Sequence, residues 1–229
     1  MGEILAPGIS DDMTHGRLRK WGDRLYVFHY SRGMSTKMTN HLDLRLAERL
    51  RAEREARGWS LEELAARSSV SRAMISKVER GESSPTAALL GRLSGAFGLS
   101  LSLLLARAEA VEGGRLWRAG EQVVWRDPGT GFLRRALTPP GAEGTAPLEL
   151  VAAELPPGAE IAYPAAAYAF IQDQQMVVLA GALRFTQGGE VHDLAAGDCL
   201  RLGPPADCVF SNPGKILCRY LVAVLHRPA

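Results

Sequence analysis

The sequence predicts an all-α domain of five helices followed by an all-β domain. Up to about residue 107, apolar residues recur at helical spacing and capping residues separate the segments. Beyond that point Gly and Pro become frequent, and short apolar runs alternate with turn signals, as in a closed antiparallel barrel or sandwich. We therefore predict a helical domain over residues 42–107, a linker over 108–114 and a β domain over 115–229.

Residues 1–41 carry weaker signals and are predicted to form an N-terminal extension. The run Arg24–Tyr30 has the composition of a strand, whereas its flanks are polar and contain glycine. The sequence around Met38 resembles a protein start. Two alternatives therefore stay open for residues 1–37, an upstream extension of the reading frame or a flexible arm.

Composition excludes a chain that is disordered throughout, because 46% of the 229 residues are hydrophobic. The net charge of +2 is distributed unevenly along the chain. Residues 42–108 hold 11 Lys and Arg against 8 Asp and Glu, so this part suits a polyanionic partner better than the β domain does. No apolar run approaches the roughly 20 residues of a membrane helix, and no membrane contact is expected. Three cysteines without a C-x-x-C pair fit a reducing cytoplasm, which is the predicted location.

The first helix of the α domain is predicted over Asp43–Arg57. Leu42, Leu46 and Leu50 share one helical face and are expected in the core. The residues expected to face water are Arg45, Arg49, Glu53 and Arg57. Gly58 ends the helix.

Two short helices joined by a tight turn come next. Ser60 and Glu63 form a capping box at the start of the first, and Ser71 caps the second. Met74, Ile75 and Val78 are expected to be buried. The face left outside the core is narrow and consists of small, polar and cationic residues, a composition that suits a DNA major groove; it comprises Arg72, Ala73, Ser76, Lys77 and Arg80.

This segment resembles the lambda-repressor-like helix-turn-helix of the Xre family, because S-x-E-E-L-A, V-S-R-x-x-I-S-x-x-E-R-G and S-P-T all agree in register. The resemblance covers residues 42–106 and implies a transcription regulator that binds double-stranded DNA as a homodimer. It departs at Leu61, where the family often has Gln, and at Ser69, where it often has Gly. The residues expected to contact DNA are Ser60, Ser71, Arg72, Ala73, Ser76, Lys77 and Arg80.

Two further helices complete the α domain. Ser84-Pro85 is expected to start the fourth helix, with Pro at its first position, and Gly98 to end it. Ser100 is expected to start a last helix that runs through Leu105.

The β domain is predicted from regularly spaced strands. They cover 122–126, 132–137, 148–154, 176–180, 183–186, 199–202, 208–211 and 217–224. His192 and Asp193 fall in a predicted turn and are interpreted as a surface pair.

The order of these strands resembles the cupin (jelly-roll) fold over residues 115–226, on the runs Leu155–Gly158, Gln174–Gly181 and Gly197–Gly214. Cupin enzymes hold a divalent metal with two histidines and a glutamate from one motif and a histidine from the other. In this chain the positions of the first two histidines fall among Ala167–Phe170. The position of the glutamate is occupied by Gln174, and that of the last histidine by Cys208. We therefore expect no metal and no cofactor, although a site built from Cys199, Cys208 and Cys218 stays conceivable.

A barrel without metal still offers a concave mouth for a small-molecule effector of unknown identity. Any one of the residues that line this mouth could equally be a packing residue of the barrel core that takes no part in binding. The residues expected to line the mouth are Tyr163, Tyr168, Phe170, Gln172, Gln174, Met176, Arg184, Cys208, Phe210 and Tyr220. The resemblance also implies dimerisation through the barrel strands.

No catalytic constellation is recognisable, so we expect a regulator and not an enzyme. The alternatives are a metal-dependent cupin isomerase or oxygenase that carries a DNA-binding domain, and a helical domain that binds protein instead of DNA.

Overall fold

The computed structural model describes residues 19–21, 24–26, 36–109, 115–139 and 148–226. The chain divides into two compact units, Met1–Thr36 and Lys37–Ala229. In the first unit, β1 (Arg19–Trp21) pairs antiparallel with β2 (Arg24–Tyr26). The strand predicted over 24–30 is thus confirmed for 24–26. Residues 27–30 lie outside the described residues, as do most positions of the predicted flexible extension.

Five α-helices are described between residues 36 and 109, as the sequence predicts. They are α1 (Thr36–Ala56), α2 (Leu61–Ser68), α3 (Arg72–Glu79), α4 (Ala87–Phe97) and α5 (Leu101–Glu109). α1 begins before the predicted start at Asp43, and α5 continues past the predicted end at Leu105. Leu42, Leu46 and Leu50 are buried on the inner side of α1, as expected.

The capping predictions for α2 and α3 are confirmed. The Ser60 hydroxyl accepts a hydrogen bond from the backbone N–H of Glu63 at 3.1 Å, and the Glu63 carboxylate accepts one from the N–H of Ser60 at 2.7 Å. The Ser71 hydroxyl accepts a bond from the N–H of Met74 at 3.3 Å. Both helices therefore begin where the sequence places their caps.

Glu53 does not face water, which corrects the prediction for α1. It is 3% exposed, because three guanidinium groups converge on its carboxylate. Those of Arg49 and Arg57 reach it from the same helix, and that of Arg107 reaches it from α5 at 2.8 Å. A buried carboxylate is tolerated when it is paired in this way, so Glu53 ties α1 to α5.

Two other predictions for the helices are wrong. Met74 is 37% exposed, because Ile75 and Val78 already fill the inner face of α3 and Met74 lies about 100° around the helix from Ile75. The fourth helix begins at Ala87 and not at Pro85. Thr86 is its N-cap, accepting a bond from the N–H of Leu89 at 3.4 Å.

The strands from residue 124 onward form two antiparallel sheets. They are β3 (Val124–Arg126), β4 (Leu133–Ala136), β5 (Leu148–Leu155), β6 (Glu160–Tyr163), β7 (Ile171–Ala180), β8 (Ala182–Gln187), β9 (Glu190–Ala195), β10 (Cys199–Arg201), β11 (Cys208–Ser211) and β12 (Cys218–His226). One sheet has the order β10-β7-β12-β5-β4-β3 and the other β6-β11-β8-β9. Their non-sequential order gives the jelly-roll barrel that the sequence predicts.

The predicted strands are all present, but β6 and β9 were missed. β6 has only four residues and directly follows a Pro-Pro-Gly turn. β9 is a polar edge strand with little apolar signal. His192 and Asp193 therefore lie in a strand and not in a turn. His192 is near Glu190 at 3.7 Å, and Asp193 pairs with Arg184.

Alternating burial places an aromatic cluster inside the barrel. Phe210 lies 4.8 Å from Phe185, 5.9 Å from Tyr220 and 6.0 Å from Tyr163, measured between ring centroids. Along β12, Cys218, Tyr220, Val222 and Val224 are buried, whereas the residues between them are only partly covered. The barrel core is thus apolar and aromatic, with hydroxyl groups at its tyrosines.

The helical domain packs directly on the barrel through α4. A Cβ at Gly91 would lie 2.4 Å from Cδ1 of Tyr163, so only glycine permits this approach. A Cβ at Gly95 would lie 2.9 Å from the carbonyl oxygen of Ala166, in the short 3-10 helix Ala165–Ala167. The N–H of Ala87, at the start of α4, donates to Asp127 at 2.5 Å.

No single helix in the described ranges is long and apolar enough to cross a membrane. α4 and α5 reach that length and composition only as a pair, with a 90° bend between them.

Candidate nucleic-acid interface and ligand cavity

α2, the turn after it and α3 form a compact helix-turn-helix. Ser69 closes α2 with a φ of +54°, in the left-handed region. Leu64 on α2, Val70 in the turn and Ile75 on α3 are buried together. Because these residues fix the inner side of α3, the opposite side is held toward solvent.

Five of the seven residues expected to contact DNA line one shallow groove along the outer side of α3. They are Arg72, Ala73, Ser76, Lys77 and Arg80. Ser60 and Ser71 lie at the N-termini of α2 and α3, where their hydroxyls cap the helices. Helix N-termini carry free N–H groups and partial positive charge, so this placement suits phosphate oxygens.

Two acidic residues on this surface had no part in the sequence prediction. Arg72 Nε lies 2.7 Å from Glu62, and Arg80 donates to Glu82 through Nε at 2.6 Å and Nη2 at 2.7 Å. The hydrogen bond from Arg80 lowers the pKa of the Glu82 carboxyl. Lys77 forms no ion pair within the described part of the chain. The groove therefore holds one cation without a carboxylate partner among those residues.

A buried ion pair anchors α3 to α1. Arg54 donates to both carboxylate oxygens of Glu79 at 2.8 Å and to the carbonyl of Trp59 at 2.9 Å. The side chains of Arg54 and Glu79 are 12% and 7% exposed. A bidentate pair of this kind fixes orientation as well as distance, so the C-terminal end of α3 is rigidly placed.

A second concave feature lies between the helical domain and the barrel. It is a cavity of about 60 Å³ whose walls come from both parts of the chain. Most of its lining is aromatic or apolar. The residues that line it are Gly91, Ser94, Ser100, Leu101, Phe132, Arg134, Glu149, Ala153, Tyr163, Ala167, Tyr168, Ile171, Gln174, Phe210, Tyr220, Val222 and Val224.

Apart from hydroxyl groups, the polar side chains of this lining are those of Arg134, Glu149 and Gln174. Arg134 and Glu149 pair with each other at 3.2 Å. The side-chain amide of Gln174 forms no hydrogen bond within the described part of the chain, although the residue is only 9% exposed. The cavity thus combines a neutralised ion pair with an amide that has no partner among the described residues.

The structure brings five of the ten residues expected to bind an effector to this cavity and places the other five elsewhere. Those at the cavity are Tyr163, Tyr168, Gln174, Phe210 and Tyr220. Met176 and Cys208 are buried in the barrel, and Phe170 stacks on His226 with 6.4 Å between ring centroids. Gln172 and Arg184 are exposed, and Arg184 is held by Asp193 at 2.7 and 2.9 Å.

Glu149 joins the helical domain to the barrel from within the cavity wall. Its carboxylate accepts a bond from the Ser100 hydroxyl at 2.7 Å and lies 3.0 Å from Nε2 of His226. Burial alone raises the pKa of Glu149, but the contact with His226, the charge of Arg134 and the two serine hydroxyls outweigh it and lower that pKa to about 2. Glu149 is therefore ionised at neutral pH.

Sequence reasoning missed this network, although one signal was present. Glu149 interrupts the buried positions of an alternating strand, where Val151, Ala153 and Leu155 follow it on the same face. An inward-facing carboxylate needs partners. Those partners, Arg134 and Ser100, come from other elements and could not be assigned before the fold was known.

The metal site implied by the cupin resemblance does not fit the residues present. Cys208 donates to the Tyr168 hydroxyl at 3.2 Å, and burial raises the pKa of its thiol to about 11, so it stays protonated. Gln174 offers an uncharged amide, which is a poor ligand for a divalent cation. Within the described residues, no group of three or more His, Cys, Asp and Glu side chains could hold a metal ion.

Comparison with known proteins identifies the helical part. The helix-turn-helix family HTH_3 matches residues 50–104. The HTH-type transcriptional regulator SutR of Escherichia coli (strain K12) is 47% identical over 49 residues, which are 21% of this chain. The match spans 28% of the length of that curated relative.

Solved structures extend the likeness to the whole fold. An HTH_3 family transcriptional regulator from Vibrio cholerae superposes with a TM-score of 0.67 at 23% identity, covering 83% of this chain and 99% of that one. The Cupin_2 domain of an XRE family transcriptional regulator from Enterobacter cloacae gives a TM-score of 0.37 at 20% identity, over 43% of this chain and 98% of that one. Residues 50–104 thus match the helix-turn-helix family HTH_3, and the chain as a whole shares the fold of the Vibrio cholerae structure.

Proposed function

We propose that this chain is a transcription regulator that binds double-stranded DNA as a homodimer and responds to a small molecule held in its barrel domain. The observation that carries the proposal is the outer side of α3. There, Arg72, Ala73, Ser76, Lys77 and Arg80 share one exposed groove within a domain of the HTH_3 type.

The groove has the chemistry of a major-groove reader. Arg72 and Lys77 carry donors that can reach the acceptor atoms of guanine, whereas Ala73 and Ser76 are small enough to let the helix approach base edges. In the free protein, Arg72 is paired with Glu62 and Arg80 is paired with Glu82. Because exposed ion pairs contribute little stability, DNA can take over these arginines without a large penalty.

A dimer is supported by the outer face of the larger sheet. Leu221 on β12 lies between Ala152 on β5 and Val177 on β7, and Leu225 lies beside Leu148. Leu148, Leu150 and Leu179 are 48%, 39% and 51% exposed. A contiguous apolar face of this kind is typical of an interaction surface. A two-fold pairing of two such faces would present two α3 helices to a two-fold operator.

The response to a small molecule is supported by the position of the cavity. Its walls include Ser100 and Leu101 of the helical domain as well as Tyr163 and Tyr220 of the barrel. A molecule bound there contacts both domains. It can therefore favour one arrangement of the DNA-binding helices over another, through different affinities for the two arrangements.

The proposal is tested by selecting duplexes from a random-sequence library with the full chain. We expect enrichment of a motif with two half-sites related by a two-fold axis. We also expect Ser76→Ala, in the groove, to change the preferred bases, whereas Ser211→Ala, on the barrel, leaves them unchanged. Failure to enrich any duplex would contradict the proposal and favour a helical domain that binds protein.

The metal-dependent enzyme stays the alternative function, and elemental analysis separates it from the regulator. Protein purified without added metal is expected to contain far less than a stoichiometric amount of transition metal. A stoichiometric, tightly held metal would favour the enzyme.

A further inference from the structure

The cavity between α4, α5 and the barrel is too small for a metabolite in the observed arrangement. It measures about 60 Å³, whereas an engineered cavity that binds benzene measures about 150 Å³. Its barrel side consists of closely packed rings and strands, while its other side is formed by two short helices. The cavity becomes larger if α4 and α5, which form that side, move away from the barrel.

The polar groups of the cavity indicate the kind of ligand. The Tyr163 hydroxyl is buried and has no hydrogen-bond partner within the described residues. The side-chain amide of Gln174, in the same lining, can donate and accept, and it has no hydrogen-bond partner within the described ranges. A buried hydroxyl without a partner is destabilising, so a ligand with a hydroxyl or amide group would supply what the cavity lining lacks.

The charges of the cavity disfavour a charged ligand. Arg134 is neutralised by Glu149 at 3.2 Å, and the remaining carboxylate oxygen of Glu149 is occupied by Ser100 and His226. A carboxylate or ammonium brought into this cavity would find its counter-ion already paired. Burial of an unpaired charge is strongly unfavourable.

We propose, on the basis of the function proposed above, that this cavity binds a small uncharged molecule with a ring and a hydroxyl or amide group, and that its entry lifts α4 and α5 away from the barrel. Ligand binding and docking of the helical domain then compete. The ligand would act by releasing the DNA-binding helices from a fixed position.

Besides the hydrogen bond from Ser100 to Glu149 and the close approach of Gly95 to Ala166, three contacts resist this movement. Gly91 packs closely against the ring of Tyr163, Arg134 donates to Ser102 on α5, and the N–H of Ala87 donates to Asp127 in the barrel at 2.5 Å. The last contact offers a direct readout. As the first residue of α4, Ala87 has no partner for its N–H within the helix, so its amide hydrogen is protected only while the domain is docked.

The first experiment compares three probes of similar size and different charge, namely benzyl alcohol, benzoate and benzylammonium. We expect the full chain to bind benzyl alcohol at least about tenfold more tightly than either ion, because only the ions bury an unpaired charge. Tyr163→Phe should weaken benzyl alcohol binding severalfold without lowering the thermal midpoint of the free protein. Equal or tighter binding of an ion would overturn the proposal, as would no binding of the alcohol.

The second experiment measures amide exchange at Ala87 by NMR. Benzyl alcohol should speed this exchange, and Gly91→Ala should do so without ligand while raising the affinity for benzyl alcohol. The control is Arg92→Ala, which alters an exposed neighbour on the same helix. If Gly91→Ala does not fold, Ser102→Ala weakens the same docking. Ligand binding with unchanged or slower exchange at Ala87 would contradict the competition.

These readouts do not involve DNA. If the chain selects no duplex but shows both effects, the proposed function is contradicted and the competition between ligand binding and docking is supported. If the chain selects a duplex but shows neither effect, only the competition between ligand binding and docking is contradicted.

Discussion

Glu149 forms one of the contacts between the helical domain and the barrel. It holds Ser100 of the helical domain, Arg134 and His226 of the barrel in one buried cluster. Removing one partner of such a cluster leaves a buried charge uncompensated, which is more costly than removing an exposed ion pair. Its contribution should therefore be visible in the stability of the whole protein.

We predict that unfolding becomes easier in acid because of Glu149. Its pKa of about 2 in the folded chain lies below the ordinary value of 4.5. The stabilisation is therefore complete above about pH 5 and is lost as the pH falls toward 2, by up to about 3 kcal/mol. Glu149→Gln should lower the stability at pH 7 and flatten this dependence, as measured by urea unfolding between about pH 2 and pH 7.

The matched control for that measurement is Glu55→Gln, on the exposed side of α1. Glu55 pairs with Arg51 at the surface, so its removal should leave the acid dependence nearly unchanged. Glu53, whose pKa is also about 2, contributes its own share. A Glu149→Gln variant that keeps the full acid dependence would show that the cluster does not stabilise the fold.

At the scale of elements, the turn between α2 and α3 carries backbone strain. Ser69 has a φ of +54°, and within the described residues no other non-glycine residue has a positive φ. Left-handed backbone is costly for a residue with a Cβ. The same position is one of the two where the chain departs from the Xre pattern, in which glycine is frequent there.

We predict that Ser69→Gly stabilises the chain by about 0.5–1 kcal/mol, since glycine adopts this conformation without strain. The comparison variant is Ala66→Gly, at an exposed position inside α2, which should destabilise by about 1 kcal/mol. Thermal unfolding of both variants measures the two effects. If Ser69→Gly is as destabilising as Ala66→Gly, the turn is not strained.

The elements that were predictable carry their signals locally. Ser60 and Glu63 form a capping box within four residues, and Gly98 ends α4 with a φ of +69°. By contrast, the short strand β6 and the polar edge strand β9 have no such signal. The burial of Glu53 depends on Arg107, which is far away in sequence. Periodicity within α1 could not reveal that partner.

The two candidate sites differ in the same way: one could be predicted from local sequence, and the other depends on residues that are distant in sequence. The outer side of α3 belongs to one helix, so spacing alone grouped Arg72 with Ser76 and Lys77. The cavity is assembled from two domains, and its residues Ser100 and Glu149 are brought together only by docking. Arg184, which the sequence placed in the pocket, instead pairs with Asp193 at the surface.

At the scale of the whole molecule, the proposed function requires a dimer. We predict that Leu150→Glu, on the outer face of the larger sheet, weakens self-association, because it places a charge within an apolar contact. Val191→Glu is the control, since Val191 is 57% exposed on β9 of the other sheet. Sedimentation equilibrium measures both. Equal dissociation constants for the two variants would place the interface elsewhere.

The central claim is that the outer side of α3 binds DNA, and the salt dependence of binding tests it most directly. The double variant Lys77→Ala/Arg80→Ala is compared with Lys215→Ala, which removes an exposed lysine from the barrel. We predict weaker binding for the double variant and a plot of log K against log salt that is flatter by roughly 0.9 for each phosphate that is no longer neutralised. An unchanged affinity and slope, with Lys215→Ala behaving identically, would contradict the claim.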